Sequence, residues 1–257
     1  MPVVTIALVI ANVVAYLLEI RHGGSFFGGP SPHTAVSYGA IPYELAHPGR
    51  HCALVAHAAA GGSASRVVCQ GRPGLSGPVP SQPASWITVL TSMFLHGSFL
   101  HLFPNMLFLA IFGPAVEDAT SRPRFLAFYL LGGLLALALQ VAVSPNSTAP
   151  TIGSSGPIAA VLGGYIVLYP RARILSLVFI IFLFTIVAVP ALVLLAAWFA
   201  EQLLIWLVGL ASPVGGSEGV AYFAHIGSFL LGALAIRGFA SRRAGEAEAH
   251  PGGVRFS

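Results

Sequence analysis

The chain has 257 residues, 56% of them apolar and 8% charged, and its mean hydropathy is +0.85. A soluble domain carries about 25% charged residues, so this chain lacks the polar surface that water demands and reads as a helical membrane protein. Its twelve basic residues, all arginine, outnumber eight acidic ones and give a pI near 9.4. They fall in short segments between apolar stretches rather than along a groove-like run. This sets nucleic-acid binding aside and matches membrane topology. The Arg-only, Ala- and Gly-rich usage suggests a bacterial genome rich in GC.

The first apolar run, residues 3–18, has no basic leader segment and no small-residue cleavage site, so it reads as a retained span and not a signal peptide. A long Gly-, Pro-, Ser- and His-containing loop follows over 21–85. It holds the two cysteines, Cys52 and Cys69, for which both a disulfide and two unpaired thiols stay open. The second span is expected over 99–116, the third over 125–143 and a short fourth over 155–169. The stretch 174–210 is apolar except for Glu201 and Gln202 and exceeds one crossing of about 20 residues. Pro190 divides it into a buried or interfacial lead-in, 174–189, and a fifth span, 190–210. The sixth covers 220–236.

Arg122 and Arg124 follow the second span, Arg171 and Arg173 the fourth, and Arg237, Arg242 and Arg243 the sixth. With six crossings all three places lie on one side, which the positive-inside rule makes cytoplasmic together with both termini. Spans two, four and six then start together in the outer leaflet.

Those three starts carry the chemistry. The fourth span opens TIGSSG over 151–156, which places Ser155 at a helix start. Unpaired N–H groups and the helix dipole favour developing negative charge there. Alone, such a motif is no more than a common helix cap. The sixth span supplies His225, an ionisable residue inside a span and so a functional candidate, against the bland reading of a histidine bonding a neighbouring helix. Ser155, Ala159 and Gly163 share one helical face, as do Ala221, His225, Ser228 and Gly232. Small residues on facing stripes let two membrane helices approach closely, which would bring Ser155 and His225 within proton-transfer reach. In the second span His101 and Asn105, four apart, are donors on one face that could hold an oxyanion, and Pro104 sits in the first turns. His96 reads as an interfacial side chain. A third triad member is hard to find. The sole aspartate, Asp118, lies at the cytoplasmic end, Glu201 is on span five and Glu218 is in the last outer loop, so a Ser–His dyad is the simplest mechanism.

The pieces HGSFLHLFPN over 96–105, GPAVED over 113–118, GSSG over 153–156 and AHIGSFLLG over 224–232 stand in the order of a known family. Together they make the sequence resemble a rhomboid intramembrane serine protease. The resemblance covers about 86–237 and implies a six-helix membrane core, so that with the long extracytoplasmic first loop the expected fold is an all-α, six-helix membrane bundle. It implies Ser155 as nucleophile, His225 as general base, and an oxyanion hole from His101, Asn105 and the Ser155 N–H. Glu117 would tie span two to its neighbours, and no metal or organic cofactor is implied. Family members often carry Gly where Ser121 and Ser228 stand, and some stack an aromatic on the histidine from the position of Ala159. The first loop lacks the Trp-Arg pair of some members and carries an insertion instead.

The expected organisation is a first helix over 1–20, an extracytoplasmic loop over 21–85, a catalytic core over 86–238 and a disordered cytoplasmic tail over 239–257. The expected protein is a multi-pass serine endopeptidase of the bacterial cytoplasmic membrane that cuts transmembrane protein substrates. Residues 211–219 are the candidate lid and span five is the candidate lateral gate. The alternatives are a rhomboid-like protein that binds transmembrane clients without cutting, and a transporter. Against the transporter stand the lack of an inverted repeat and of a mid-span charge in spans two, four and six. Aspartyl and zinc intramembrane proteases fit worse, for want of a second Asp and of an H-E-x-x-H motif.

Overall fold

The computed structural model describes residues 1–59, 62–73, 79, 83–180, 183–211 and 218–241. The first apolar run forms α1, Val3–Arg21, and the second forms α5, Phe99–Thr120. The opening N–H groups of a helix have no partner inside it, and an anion is favoured at that end. The buried Glu117 of α5 meets this need for α1. It accepts from the Val4 and Thr5 N–H groups at 3.0 and 2.8 Å and from the Thr5 hydroxyl at 2.8 Å. The tie implied for Glu117 is thus a cap on α1.

Between α1 and α5 the chain builds its own small layer. It consists of α2 (Pro32–Tyr38), α3 (Pro42–Ala46), the antiparallel pair β1 (Cys52–Ala59) and β2 (Gly62–Cys69), and α4 (Ser85–Thr91). Cys52 and Cys69 face each other at the open end of the hairpin and are joined by a disulfide, which decides between the two readings left open. Val36, Ile41 and Tyr43 pack on that buried bridge. The layer is fastened to the main body: Ala40 and Thr151 exchange backbone bonds of 3.1 and 2.8 Å, and the Tyr43 N–H donates to the Ser147 carbonyl at 3.0 Å. Much of the expected loop is therefore folded structure seated on the turn that precedes Ser155.

The remaining helices are α6 (Arg122–Val143), α7 (Ser155–Leu168), α8 (Ala191–Ala211) and α9 (Glu218–Phe239). Among the described residues α1, α5 and α6 are long and apolar enough to cross a membrane, while Ser155–Leu168, Ala191–Leu204 and Phe223–Phe239 form shorter apolar helices. Contacts give the directions. A Cβ added to Gly132 would meet Ala160, one added to Gly156 would meet Ala136, and Gly164 lies against Phe128, so α6 and α7 are antiparallel. Ser155 meets His225 at one end while Gly164 meets Ile236 at the other, so α7 and α9 run parallel. Gly153 abuts His101, and the Tyr169 hydroxyl donates to the Ala115 carbonyl at 3.1 Å, which makes α5 parallel to both. The starts of α5, α7 and α9 therefore lie together. A Cβ on Gly163 would strike the Phe229 carbonyl, and one on Gly232 the Ala160 backbone. The small-residue stripes do bring two backbones into contact.

Other expectations change. The fold is mostly helical but not all-α. Residues 174–189 fall in a second hairpin, β3 (Arg173–Ile180) with β4 (Leu183–Pro190), paired from Arg173↔Pro190 to Ile180↔Leu183. Its Ile, Val, Phe and Thr residues suit a pleated strand, and the two halves satisfy each other's backbone groups. Leu175, Ile186 and Val187 are exposed, so the described part of this lead-in is not buried. The expected tail begins too early: Phe239 closes α9 with its ring 5.3 Å from that of Phe128, and the Ser241 N–H donates to the Ala119 carbonyl at 2.8 Å. Residues 242–257 lie outside the described residues.

Candidate active site

The turn before α7 is made by Gly153, at φ +128°, whose N–H donates to the Ser92 carbonyl at 2.8 Å. Ser154 follows at the N-cap and is fully buried, and Ser155 opens the helix with partial exposure. The Ser155 hydroxyl lies 2.7 Å from His225 Nε2. At that distance a hydroxyl proton can pass to an imidazole lone pair.

His101 stands beside them. Its Nδ1 accepts from the Gly97 N–H at 3.4 Å, which leaves Nε2 as the nitrogen that bears hydrogen. A Cβ built on Gly153 would lie 2.9 Å from this Nε2 and 3.5 Å from Ser155 Oγ, so donor and hydroxyl flank one point. One turn along α5, Asn105 is buried and its Nδ2 has no hydrogen-bond partner among the described residues. A buried unpaired amide costs about 1–3 kcal/mol, and such a cost is tolerated where the donor awaits an incoming acceptor. A hydroxyl on a base, beside free donors at a helix start, can support acyl transfer.

His96 corrects its expectation, since it is buried and not interfacial. Its N–H donates to both Glu19 carboxylate oxygens at 3.3 and 3.4 Å, Nδ1 lies 3.1 Å from the Phe94 carbonyl, and Nε2 lies 3.0 Å from Ser154 Oγ. These partners offset its burial. Ser154 and His96 thus form a second Ser–His pair, but both are fully buried and closed to a substrate, whereas Ser155 is not.

Comparison with known proteins gives the family of this fold. The rhomboid domain model matches residues 83–242, more than half of the chain. The chain belongs to the rhomboid family. It is 32% identical over 161 residues to the mitochondrial rhomboid protein 1 of Saccharomyces cerevisiae, covering 58% of this chain and 41% of that protein. It is 28% identical over 97 residues to the mitochondrial presenilin-associated rhomboid-like protein A of Danio rerio, with 37% and 25% covered. Against the human presenilin-associated rhomboid-like protein, also mitochondrial, it is 29% identical over 110 residues, with 41% and 29% covered. The chain therefore spans less than half the length of these relatives. All three are mitochondrial by name and give no support to a bacterial source. This rhomboid is a multi-pass integral membrane protein.

Within the rhomboid core two polar residues act beyond their sequence-level reading. Gln202, noted only as a polar interruption of span five, is buried on α8 with Oε1 2.9 Å from His225 Nδ1. Its position in an otherwise apolar helix was the available signal. Ser228 is fully buried and directs its hydroxyl at the Gly132 and Gly156 carbonyls, at 3.0 and 2.8 Å. It ties α9 to α6 and α7 one turn from His225. Of the candidate lid, 212–217 lie outside the described residues.

Proposed function

We propose that this rhomboid is an intramembrane serine endopeptidase that cleaves transmembrane or membrane-proximal segments of other membrane proteins. The 2.7 Å approach of Ser155 Oγ to His225 Nε2, at a partly exposed helix start, carries the reading. His225 takes the Ser155 proton as Oγ bonds to the scissile carbonyl carbon. The Ser155 N–H, His101 Nε2–H and Asn105 amide hold the resulting oxyanion. The C–N bond then breaks and His225 protonates the departing amine. Water, deprotonated by the same imidazole, hydrolyses the acyl-enzyme.

The alternating directions of α1, α5, α6, α7, α8 and α9 support six crossings. By the positive-inside rule both termini are cytoplasmic, and the first loop and the site face the outer side. Among the described residues α8 packs mainly along α9, with smaller contacts to α7 and β4. This peripheral place suits a lateral gate, and the glycine-rich 211–219 keeps the role of lid read from its sequence. Turnover that survives cross-linking of either segment would count against these roles.

The test is cleavage of a single-span substrate by the purified full chain in detergent, with serine-reactive fluorophosphonate labelling in parallel. Both activities are expected to vanish in Ser155→Ala, and cleavage to vanish in His225→Ala. If the wild type neither cuts nor labels while a known active rhomboid does both, the protein is a client binder. Cleavage that persists in Ser155→Ala would exclude the assigned nucleophile.

A further inference from the structure

A histidine can act as a base toward a serine only in one of its two neutral tautomers. Nε2 must present a bare lone pair to the hydroxyl, so the proton must sit on Nδ1, and Nδ1–H needs an acceptor. In this rhomboid that acceptor comes from α8. Gln202 Oε1 lies 2.9 Å from His225 Nδ1 and the glutamine is buried. An amide carbonyl oxygen accepts and cannot donate, so the contact selects the Nδ1–H form. The register that creates it is held one turn away, where Trp198 and Phe199 place their rings 5.9 and 5.1 Å from Phe229.

We propose that Gln202 is a positioning residue that holds His225 in its base-competent tautomer, making the working unit Ser155–His225–Gln202, spread over α7, α9 and α8. The inference rests on the protease reading. A neutral amide suits the site because a buried carboxylate within a membrane is costly. The adjacent Glu201 faces outward from α8 and does not fill the role; among the described residues His101 on α5 is an ionisable neighbour coupled to His225. Because the acceptor sits on the proposed gate helix, outward movement of α8 would part it from His225, coupling substrate entry to alignment of the base.

The experiment compares wild type, Gln202→Leu and Gln202→Glu as full chains on a single-span substrate, reading kcat, KM, the pH profile, fluorophosphonate labelling rate and thermal midpoint. Gln202→Leu is expected to lower kcat about 10²-fold, within the range of general-base contributions, to slow labelling in parallel and to leave KM unchanged. Gln202→Glu is expected to recover kcat at high pH and to move the acid limb of kcat/KM upward. A carboxylate beside Nδ1 favours the imidazolium, which must lose its proton before it can serve as base. A residue that only packs would lower the thermal midpoint and leave that limb in place. If a cleaving wild type is matched by Gln202→Leu in kcat and labelling, or if the limb does not move in Gln202→Glu, the inference falls alone. Should Gln202→Leu fail to fold, the limb in Gln202→Glu decides. A wild type that neither cleaves nor labels overturns the protease reading itself.

Discussion

The ring of His101 presses on the backbone of Gly153 so closely that a Cβ there would stand 2.9 Å from Nε2 and 2.8 Å from Cε1. Gly153 also sits at φ +128°, where L side chains are strained. Glycine is thus needed both for the turn and for the approach. Gly153→Ala is expected to push His101 out of place and cut kcat by about 10²- to 10³-fold, the effect of losing one oxyanion donor. The strain should lower stability as well, by about 1–3 kcal/mol. Cleavage rates normalised to folded protein, with thermal denaturation alongside, separate the two effects. Wild-type kcat in this variant would show that His101 need not lie where it does.

Asn105 invites the opposite stability outcome. Its Nδ2 is buried and has no partner among the described residues, so Asn105→Ala removes an uncompensated donor along with its function. Cleavage should fall about 10²-fold while the thermal midpoint holds or rises, since deleting an unsatisfied buried group relieves its desolvation penalty. If both activity and midpoint drop, the amide serves the fold and not an oxyanion.

These residues could be found in the sequence because a membrane span is apolar by default, so each polar side chain within it calls for an explanation. His101, Asn105, Ser155 and His225 stood out in this way, and the small residues on the faces of Ser155 and His225 foretold the α7–α9 contact. What a single span cannot reveal is register against its neighbours. Gln202 was visible, yet its partnership with His225 depends on how α8 slides along α9, which the packing of Trp198 and Phe199 on Phe229 determines. Glu19 and His96 meet across 77 residues for a similar reason. The run over 174–189 is apolar without helical or alternating period, and such a run does not distinguish strand from helix.

Glu44 gives the layer outside the spans a pH dependence. Burial raises its carboxyl above the ordinary value, opposed by the bond it accepts from the Cys52 N–H at 2.6 Å and by His51. With the folded pKa raised, stability from Glu44 is fully present below the unfolded value and is lost as pH rises through the folded one. Glu44→Gln keeps an acceptor for Cys52 and removes the titration. As pH rises from the ordinary glutamate value through the raised folded one, the wild-type midpoint should fall relative to that of the variant. Parallel curves for the two proteins would remove Glu44 as the titrating group.

Ser121 joins α5 to α6 at φ +76° and ψ 156°, a region that suits glycine and strains other residues. Its conformation is held from both sides: its N–H donates to the Glu117 carbonyl at 2.9 Å, and its carbonyl accepts from the Phe125 N–H at 2.8 Å. Relief of about 1–3 kcal/mol of strain, less about 0.5–1 kcal/mol for the added freedom of an unfolded glycine, leaves a net gain in Ser121→Gly. The junction lies at the end of α5 away from His101, so kcat should stay at the wild-type value while the thermal midpoint in detergent rises. A midpoint that stays level or falls would mean that the surrounding helices, and not the residue, bear the cost of this turn.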